Sequence, residues 1–171
     1  TGANATVGHG LGSVPKMIIV KGRTNAYDWV VYNANLSNPA SLKVNLNLTS
    51  VENNGSADAG SWNSTVPTSS VFSLGTFLNV NENTETFVAY VFAEVEGYSK
   101  FGKYIGNGNA DGTFVFTGFR PRYIMTKLAS DQINAANWII YDTARNPNNV
   151  IPTYLFADSS GAESDSGATY F

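Results

Sequence analysis

Two carboxylates of the chain have a spacing that acid–base chemistry can use. Glu94 and Glu96 are two residues apart, and residues two apart point to the same face of a β-strand. Glycosidases use such a pair of carboxyl groups, one to protonate the leaving group and one to attack or stabilise the sugar. The alternative is a core strand that runs out into solvent, and no neighbouring cluster of Trp, Arg and carboxylate supports a cleft. We therefore expect no enzymatic activity.

A short loop resembles the opening of a calcium-binding loop. Asn107, Asn109 and Asp111 place side-chain oxygens at alternate positions, and Gly112 follows at the sixth position, as calcium loops require. The twelfth position, where a bidentate Glu belongs, is Gly118. We therefore interpret the stretch as a Gly/Asn hairpin loop and expect neither a metal ion nor another cofactor. Asn107, Asn109 and Asp111 remain candidate contacts to a glycan or a protein partner.

Aromatic side chains in polar loops are the other candidates for contact. Trp62 is isolated in the polar stretch 52–70, so it is either an exposed contact residue or a lid over the core. Tyr27 lies in the loop 22–27 and is a second candidate. The only histidine, His9, lies in a Gly-rich stretch and is interpreted as a loop residue.

A repeated pair of strands must position these residues. The sequences PKMIIVK and DWVVYN in the first half return as PRYIMTK and NWIIYD in the second. Pro15 and Pro121 are 106 residues apart, whereas Trp29 and Trp138 are 109 apart, so the second loop is three residues longer. This spacing predicts a duplicated β-hairpin in which both copies pair in the same way.

The remaining segments predict further strands and no long helix. Residues 41–49 alternate between apolar and polar, which is typical of a strand with one wet face. Residues 86–95 are apolar on both faces until Glu94, which predicts a central strand covered on both sides. In that strand we expect the following side chains to be buried: Phe87, Ala89, Tyr90, Val91 and Phe92. Residues 98–105 and 113–117 predict two more strands.

Together these elements predict an all-β fold, a β-sandwich with jelly-roll-like character built from a duplicated hairpin unit. We expect a single domain, residues 1–171, with internal repeats at about 1–75 and 106–171. A central strand pair at about 86–105 joins the repeats, and the second repeat is about one strand shorter than the first.

Composition limits the classes of partner. Charged residues make up 13% of the chain and the net charge is −3, and the absence of a basic run argues against nucleic acid. No apolar run approaches the ~20 residues of a membrane span. Cysteine is absent, which excludes disulfides and Cys-based zinc sites. A polar but weakly charged surface favours an extracellular or particle-borne protein.

Several motifs resemble a known family. The sequences FAEVEGYSKFG at 92–102, GNG at 106–108 and FTGFRP at 116–121, with the earlier GHGLG and PKMIIVK, resemble a domain of unknown function. That domain is found in tail-fibre and appendage proteins of marine bacteriophages, including cyanophages, where it often follows a concanavalin-like lectin domain. The similarity covers nearly the whole chain and brings no catalytic residues with it.

The resemblance implies a non-enzymatic structural or adhesion module on the virion surface, in a tail fibre or another appendage. Its implied partners are other virion proteins and host-surface glycans, and by analogy with fibre proteins it forms a homo-oligomer, a trimer. Two alternatives stay open: a capsid decoration protein, and a carbohydrate-binding module of a secreted glycosidase.

Overall fold

The fold is almost entirely built from antiparallel β-strands. A computed structural model of the chain describes residues 2–53, 60–109, 111–130, 135–147 and 152–165. Within them the chain forms ten strands and one helical turn: β1 (Ala5–Gly8), β2 (Met17–Gly22), β3 (Val30–Asn33), β4 (Val44–Asn45), β5 (Val71–Leu74), α1 (Leu78–Asn81), β6 (Phe87–Phe92), β7 (Tyr123–Thr126), β8 (Ile139–Asp142), β9 (Thr153–Phe156) and β10 (Ser164–Asp165). The predicted all-β class is confirmed.

Three sheets form the layers of the fold. The first four-stranded sheet has the order β4-β3-β2-β6, and the second has the order β10-β9-β8-β7. A two-stranded sheet of β1 and β5 forms the third. The pairing of β1 was not expected from the Gly-rich opening of the chain. β5 provides that partner, with Ala5 opposite Leu74.

One face of the first sheet packs against the small sheet and α1. Ile18, Val20 and Tyr32 alternate with their neighbours along β2 and β3, so they share this face. They form one core cluster with Trp62, Phe72, Leu74 and Val80. Ile18 and Val80 have no exposed surface, which shows that this face is covered at its centre.

The opposite face of the first sheet packs against the second sheet. Met17, Val31 and Val44 belong to a second core cluster that also contains Trp138 from the second half of the chain. The partly buried Met125 and Ala157 pack onto the same cluster. The first sheet is therefore the middle layer, and the second sheet reaches it through Trp138.

The two predicted hairpins pair in the same register. Met17 lies opposite Asn33 and Ile18 opposite Tyr32. At the equivalent positions of the second hairpin, Tyr123 lies opposite Asp142 and Ile124 opposite Tyr141. In each half the third strand also joins at the same place, since Val30 and Ile139 pair with β4 and β9 respectively. Duplication as the origin of this match stays a prediction.

The predicted central strand is wrong. β6 lies at the edge of the first sheet and pairs only with β2 among the described residues. Tyr90 is 46% exposed and Phe92 43% exposed, and Ala89 is exposed as well. An apolar run does not reveal whether both of its faces are covered, and here the second sheet packs over Val31 and Val44, away from β6.

Other strand predictions hold only in part. Residues 98–105 form no strand, nor do the described residues 113–117. Within residues 41–49 only β4 is a regular strand, and the predicted wet face is wrong because Lys43 and Asn45 are 3% and 7% exposed. The Lys43 ammonium lies 5.2 Å from the centre of the Phe77 ring, so a cation–π contact accompanies its burial.

Candidate functional site

The paired carboxylates do not form an acid–base site. Glu94 accepts a hydrogen bond from the backbone N–H of Phe101 at 3.0 Å. It also forms an ion pair with Lys100 at 3.4 Å. The Phe101 bond holds the pKa of Glu94 below its usual value, the opposite of what a general acid needs. Glu96 is exposed. Through these two contacts Glu94 stabilises the turn at residues 95–99.

The Asn/Asp loop uses its oxygens for its own backbone. The side-chain oxygen of Asn107 accepts the N–H of Asn109 at 3.1 Å, and that of Asn109 accepts the N–H of Asp111 at 3.2 Å. The Asn107 amide donates to the Asp111 carbonyl oxygen at 2.8 Å. Among the described residues no cluster of three His, Cys, Asp or Glu side chains could hold a metal ion. The three residues remain exposed and available for contact.

Trp62 is a core residue, so its candidacy as an exposed contact is wrong. Its side chain is 1% exposed, and its indole N–H donates to the Leu42 carbonyl oxygen at 3.1 Å. Its ring packs edge-on against Tyr32 with centroids 5.6 Å apart. The polar sequence around Trp62 hides this role because the residues that bury it come from distant strands.

Tyr27 belongs to a structural network that ties the first hairpin loop to the turn before β6. The Tyr27 hydroxyl donates to Glu82 at 2.6 Å, which raises the pKa of Tyr27. Glu85 accepts the backbone N–H groups of residues 23–25 at 2.8 to 3.3 Å. These bonds, the one from Thr24 first, lower the pKa of Glu85.

His9 likewise serves the local backbone. Its Nε2 lies 3.1 Å from the Thr68 carbonyl oxygen, and its Nδ1 accepts the N–H of Leu11 at 3.2 Å. The first contact ties the opening segment to the loop before β5 and the second is local to that segment, which agrees with the interpretation of His9 as a loop residue.

An aromatic surface next to an open cavity is the arrangement best suited to a ligand. Trp29 and Tyr90 stack with ring centroids 6.5 Å apart and planes inclined by 17°. Trp29 also lines a cavity of about 230 Å³ together with Leu46, Asn47 and Ala157. The first three lining residues come from the first half of the chain and Ala157 from the second, so the cavity lies where the two halves meet.

Matched polar groups from both halves surround this cavity. Asn47 accepts the backbone N–H of Trp29 at 2.9 Å through its side-chain oxygen, and its amide donates to Asp28 at 2.9 Å. In the second half Asp158 accepts the backbone N–H of Trp138 at 3.1 Å. Each half thus places an oxygen acceptor at the end of its β-hairpin.

Two buried acceptors adjoin the residues that line the cavity. Asn45 precedes Leu46 and Asp158 follows Ala157 in the chain. Asn45 Oδ1 and Asp158 Oδ2 are buried with no hydrogen-bond partner among the described residues. A buried acceptor without a donor costs free energy, so these two oxygens are a local weakness of the packing beside the cavity.

The sequence pattern did not single out Trp29 as a contact residue, and it predicted that Tyr90 is buried. One sequence signal pointed to Trp29 as a surface residue. It lies immediately before a strand, and the segment that pairs with that strand, residues 45–47, alternates polar and apolar side chains. The partner ring of Tyr90 becomes visible only when β6 is placed at the sheet edge.

Within the described residues no helix is long and apolar enough to cross a membrane. The arrangement is an all-β fold with a stacked aromatic pair beside a cavity between two antiparallel sheets. The chain belongs to the family described as Domain of unknown function (DUF7483), whose model matches residues 1–171. No curated protein and no solved structure matches the chain. Because the family description states no function, the virion location stays a prediction.

Proposed function

We propose that the domain is a non-enzymatic structural and adhesion module of a bacteriophage virion, in a tail fibre or another surface appendage, and that it contacts host-surface glycans. The observation that carries the glycan contact is the stacked pair Trp29 and Tyr90 beside the cavity at the junction of the two halves. The virion location is supported by the sequence motifs and by the low charge of the surface.

A neutral sugar suits this site chemically. Aromatic rings present an apolar face to the C–H face of a sugar ring, and the exposed side-chain amide of Asn47 at the cavity suits hydrogen bonds with sugar hydroxyls. Asp28, which accepts the Asn47 amide, makes the surroundings of that residue negative, which disfavours an anionic glycan. The ligand class is therefore a neutral oligosaccharide of the host envelope.

The carboxylates support a binding role rather than a hydrolytic one. Glu94 is held by the Phe101 N–H and Lys100, which favour its charged form. Glu85 is held in the same way by the backbone of residues 23–25. A hydrolase needs one carboxyl group whose pKa is raised, and neither of these two groups has that character.

Glycan binding by the purified chain tests the proposal directly. Calorimetry against neutral oligosaccharides from the host envelope should show binding that Tyr90→Ala weakens at least about tenfold, since one aromatic contact contributes roughly 1–3 kcal/mol. Tyr98→Ala is the matched control, because Tyr98 is 80% exposed and lies in the turn after β6. Equal affinities for both variants would remove this site from the proposal.

Location and activity need two further measurements. Immunogold electron microscopy of the phage particle separates a tail fibre from a capsid decoration protein. If neither the fibre nor the capsid is labelled, the virion proposal is refuted. Incubation with the same polysaccharides should release no reducing sugar. Release that disappears in Glu94→Gln or Glu96→Gln would establish a glycosidase instead.

A further inference from the structure

The second sheet has an open edge where the first sheet has a paired one. β2 lies inside its sheet, with β3 on one side and β6 on the other. Its counterpart β7 pairs with β8 alone among the described residues and forms the end of its sheet. Because β2–β3 and β7–β8 share one register, the free edge of β7 has the geometry to accept an antiparallel strand.

The side chains of β7 show the same difference. Ile18 is completely buried, whereas its counterpart Ile124 is 38% exposed. Met17 is 5% exposed and its counterpart Tyr123 is 56% exposed. An exposed apolar edge strand is a template for pairing with another chain, so β7 is a surface that a partner strand would complete.

A projecting segment of the same chain carries apolar groups without cover. We call residues 100–120 the arm; the structure describes all of it except residue 110. Its most exposed large apolar side chains are Ile105 at 86%, Phe114 at 84% and Phe116 at 76%. Among the described residues, no backbone N–H of residues 113–119 forms a backbone hydrogen bond, so this part of the arm has free donors for a strand partner.

The arm is held as a hairpin-shaped extension. The Thr113 hydroxyl donates to the Ile105 carbonyl oxygen at 2.6 Å, and the Asn107 amide donates to the Asp111 carbonyl oxygen at 2.8 Å. At Gly102 and Gly106 an added Cβ would meet no atom within 4 Å. The sequence TFVFT at residues 113–117 is rich in residues that favour strands.

Charge favours contact between the arm and the body of another copy. Of ten Lys and Arg residues the arm holds Lys100, Lys103 and Arg120, and of thirteen acidic residues it holds only Asp111, a net charge of 3 − 1 = +2. The rest of the chain carries 7 − 12 = −5. A basic arm is attracted by an acidic body and repelled by another arm.

We propose that residues 113–117 of the arm of one copy add as a strand to the free edge of β7 of a second copy. Phe114 and Phe116 share one face of the added strand, and in this exchange they cover Ile124 of the other chain. The contact is head-to-tail because every chain has one donor arm and one acceptor edge, and the proposal specifies the closed form of such a contact, a ring of two or three copies. It rests on the proposed structural role and specifies how the module assembles.

Cysteine cross-linking tests the contact, because the chain has no cysteine of its own. Phe114→Cys chains with a mass tag, mixed with untagged Ile124→Cys chains and oxidised, should give a mixed disulfide dimer. Leu78→Cys is the control acceptor, since Leu78 is 52% exposed but lies on α1. Equal yields with Ile124→Cys and Leu78→Cys would overturn the proposal.

Light scattering after size-exclusion chromatography tests the assembly itself. The wild-type chain should be a dimer or trimer, and Phe114→Asp with Phe116→Asp should raise the dissociation constant at least about tenfold. Circular dichroism verifies that this variant stays folded. A monomer at every concentration refutes arm exchange. A monomer that binds glycans would refute arm exchange but leave the adhesion proposal standing. An oligomer that binds no glycan would refute adhesion but leave arm exchange standing.

Discussion

The indole N–H of Trp138 donates to the backbone carbonyl oxygen of Asn45 at 2.8 Å. Asn45 lies on β4 of the first sheet and Trp138 immediately before β8 of the second. Trp138 is only 4% exposed, so this bond is buried, and it joins the two halves of the chain together with the bonds at Thr49 and Glu52. It also holds Asn45 beside the residues that line the candidate site.

Removing this bond should destabilise the fold. Trp138→Phe leaves the Asn45 carbonyl oxygen with the Leu48 N–H at 3.3 Å as its remaining donor, and the loss of one intramolecular hydrogen bond costs about 0.5–1.5 kcal/mol. Urea unfolding gives the change in the free energy of unfolding. Trp29→Phe is the matched control, because Trp29 is the equivalent residue and is only partly buried. Equal losses in both variants would contradict the special role of Trp138.

Trp62 and Phe92 should respond very differently to truncation. Trp62→Ala removes a buried ring from the first core cluster and should cost about 3–5 kcal/mol. Phe92→Ala should cost roughly 1 kcal/mol or less, because Phe92 is 43% exposed. Thermal or urea unfolding of both variants measures the difference. A larger loss for Phe92→Ala would restore β6 as a strand covered on both faces.

Glu85 should make stability depend on acidic pH. Its pKa in the folded chain lies below the ordinary 4.5, so the unfolded chain binds a proton first as pH falls. Its contribution to stability is therefore present above pH 4.5 and disappears as pH falls through the folded pKa. Melting temperatures should show Glu85→Gln less stable than wild type at pH 7, with the gap closing as the pH falls through the folded pKa of Glu85.

The control for this pH dependence is Glu96→Gln, because Glu96 is exposed. Its melting temperature should stay parallel to that of the wild type across the same range. A gap between Glu85→Gln and wild type that persists unchanged at low pH would show that the backbone bonds of residues 23–25 do not depend on the Glu85 charge.

The two equivalent lysines should differ in importance. Lys21 donates to the Tyr27 carbonyl oxygen at 2.7 Å, and Lys127 donates to the equivalent Ala136 carbonyl oxygen at 2.5 Å. Lys127 also donates to the Thr49 carbonyl oxygen of the first half at 2.7 Å, and burial lowers its pKa. Lys127→Met should therefore cost about 1 kcal/mol more than Lys21→Met, measured by urea unfolding. Equal costs would show that the Thr49 bond contributes nothing.

Local sequence was sufficient for the strand class and for the pairing of the hairpins. Alternation and β-branched residues define strands because side chains point to opposite faces at every step. The equal spacing of PKMIIVK and PRYIMTK to their partner strands also predicted the common register, with Ile18 opposite Tyr32 and Ile124 opposite Tyr141. These properties depend on neighbours in the chain.

Burial was decided by tertiary packing alone. Trp62 is buried because Tyr32 and Leu42 from distant segments surround it, and Phe92 is exposed because no described strand lies beyond β6. The same apolar pattern leaves Ile18 inside and Ile124 partly outside. A side chain's type sets how much free energy burial would release, whereas the layers that meet it in space determine whether that burial occurs.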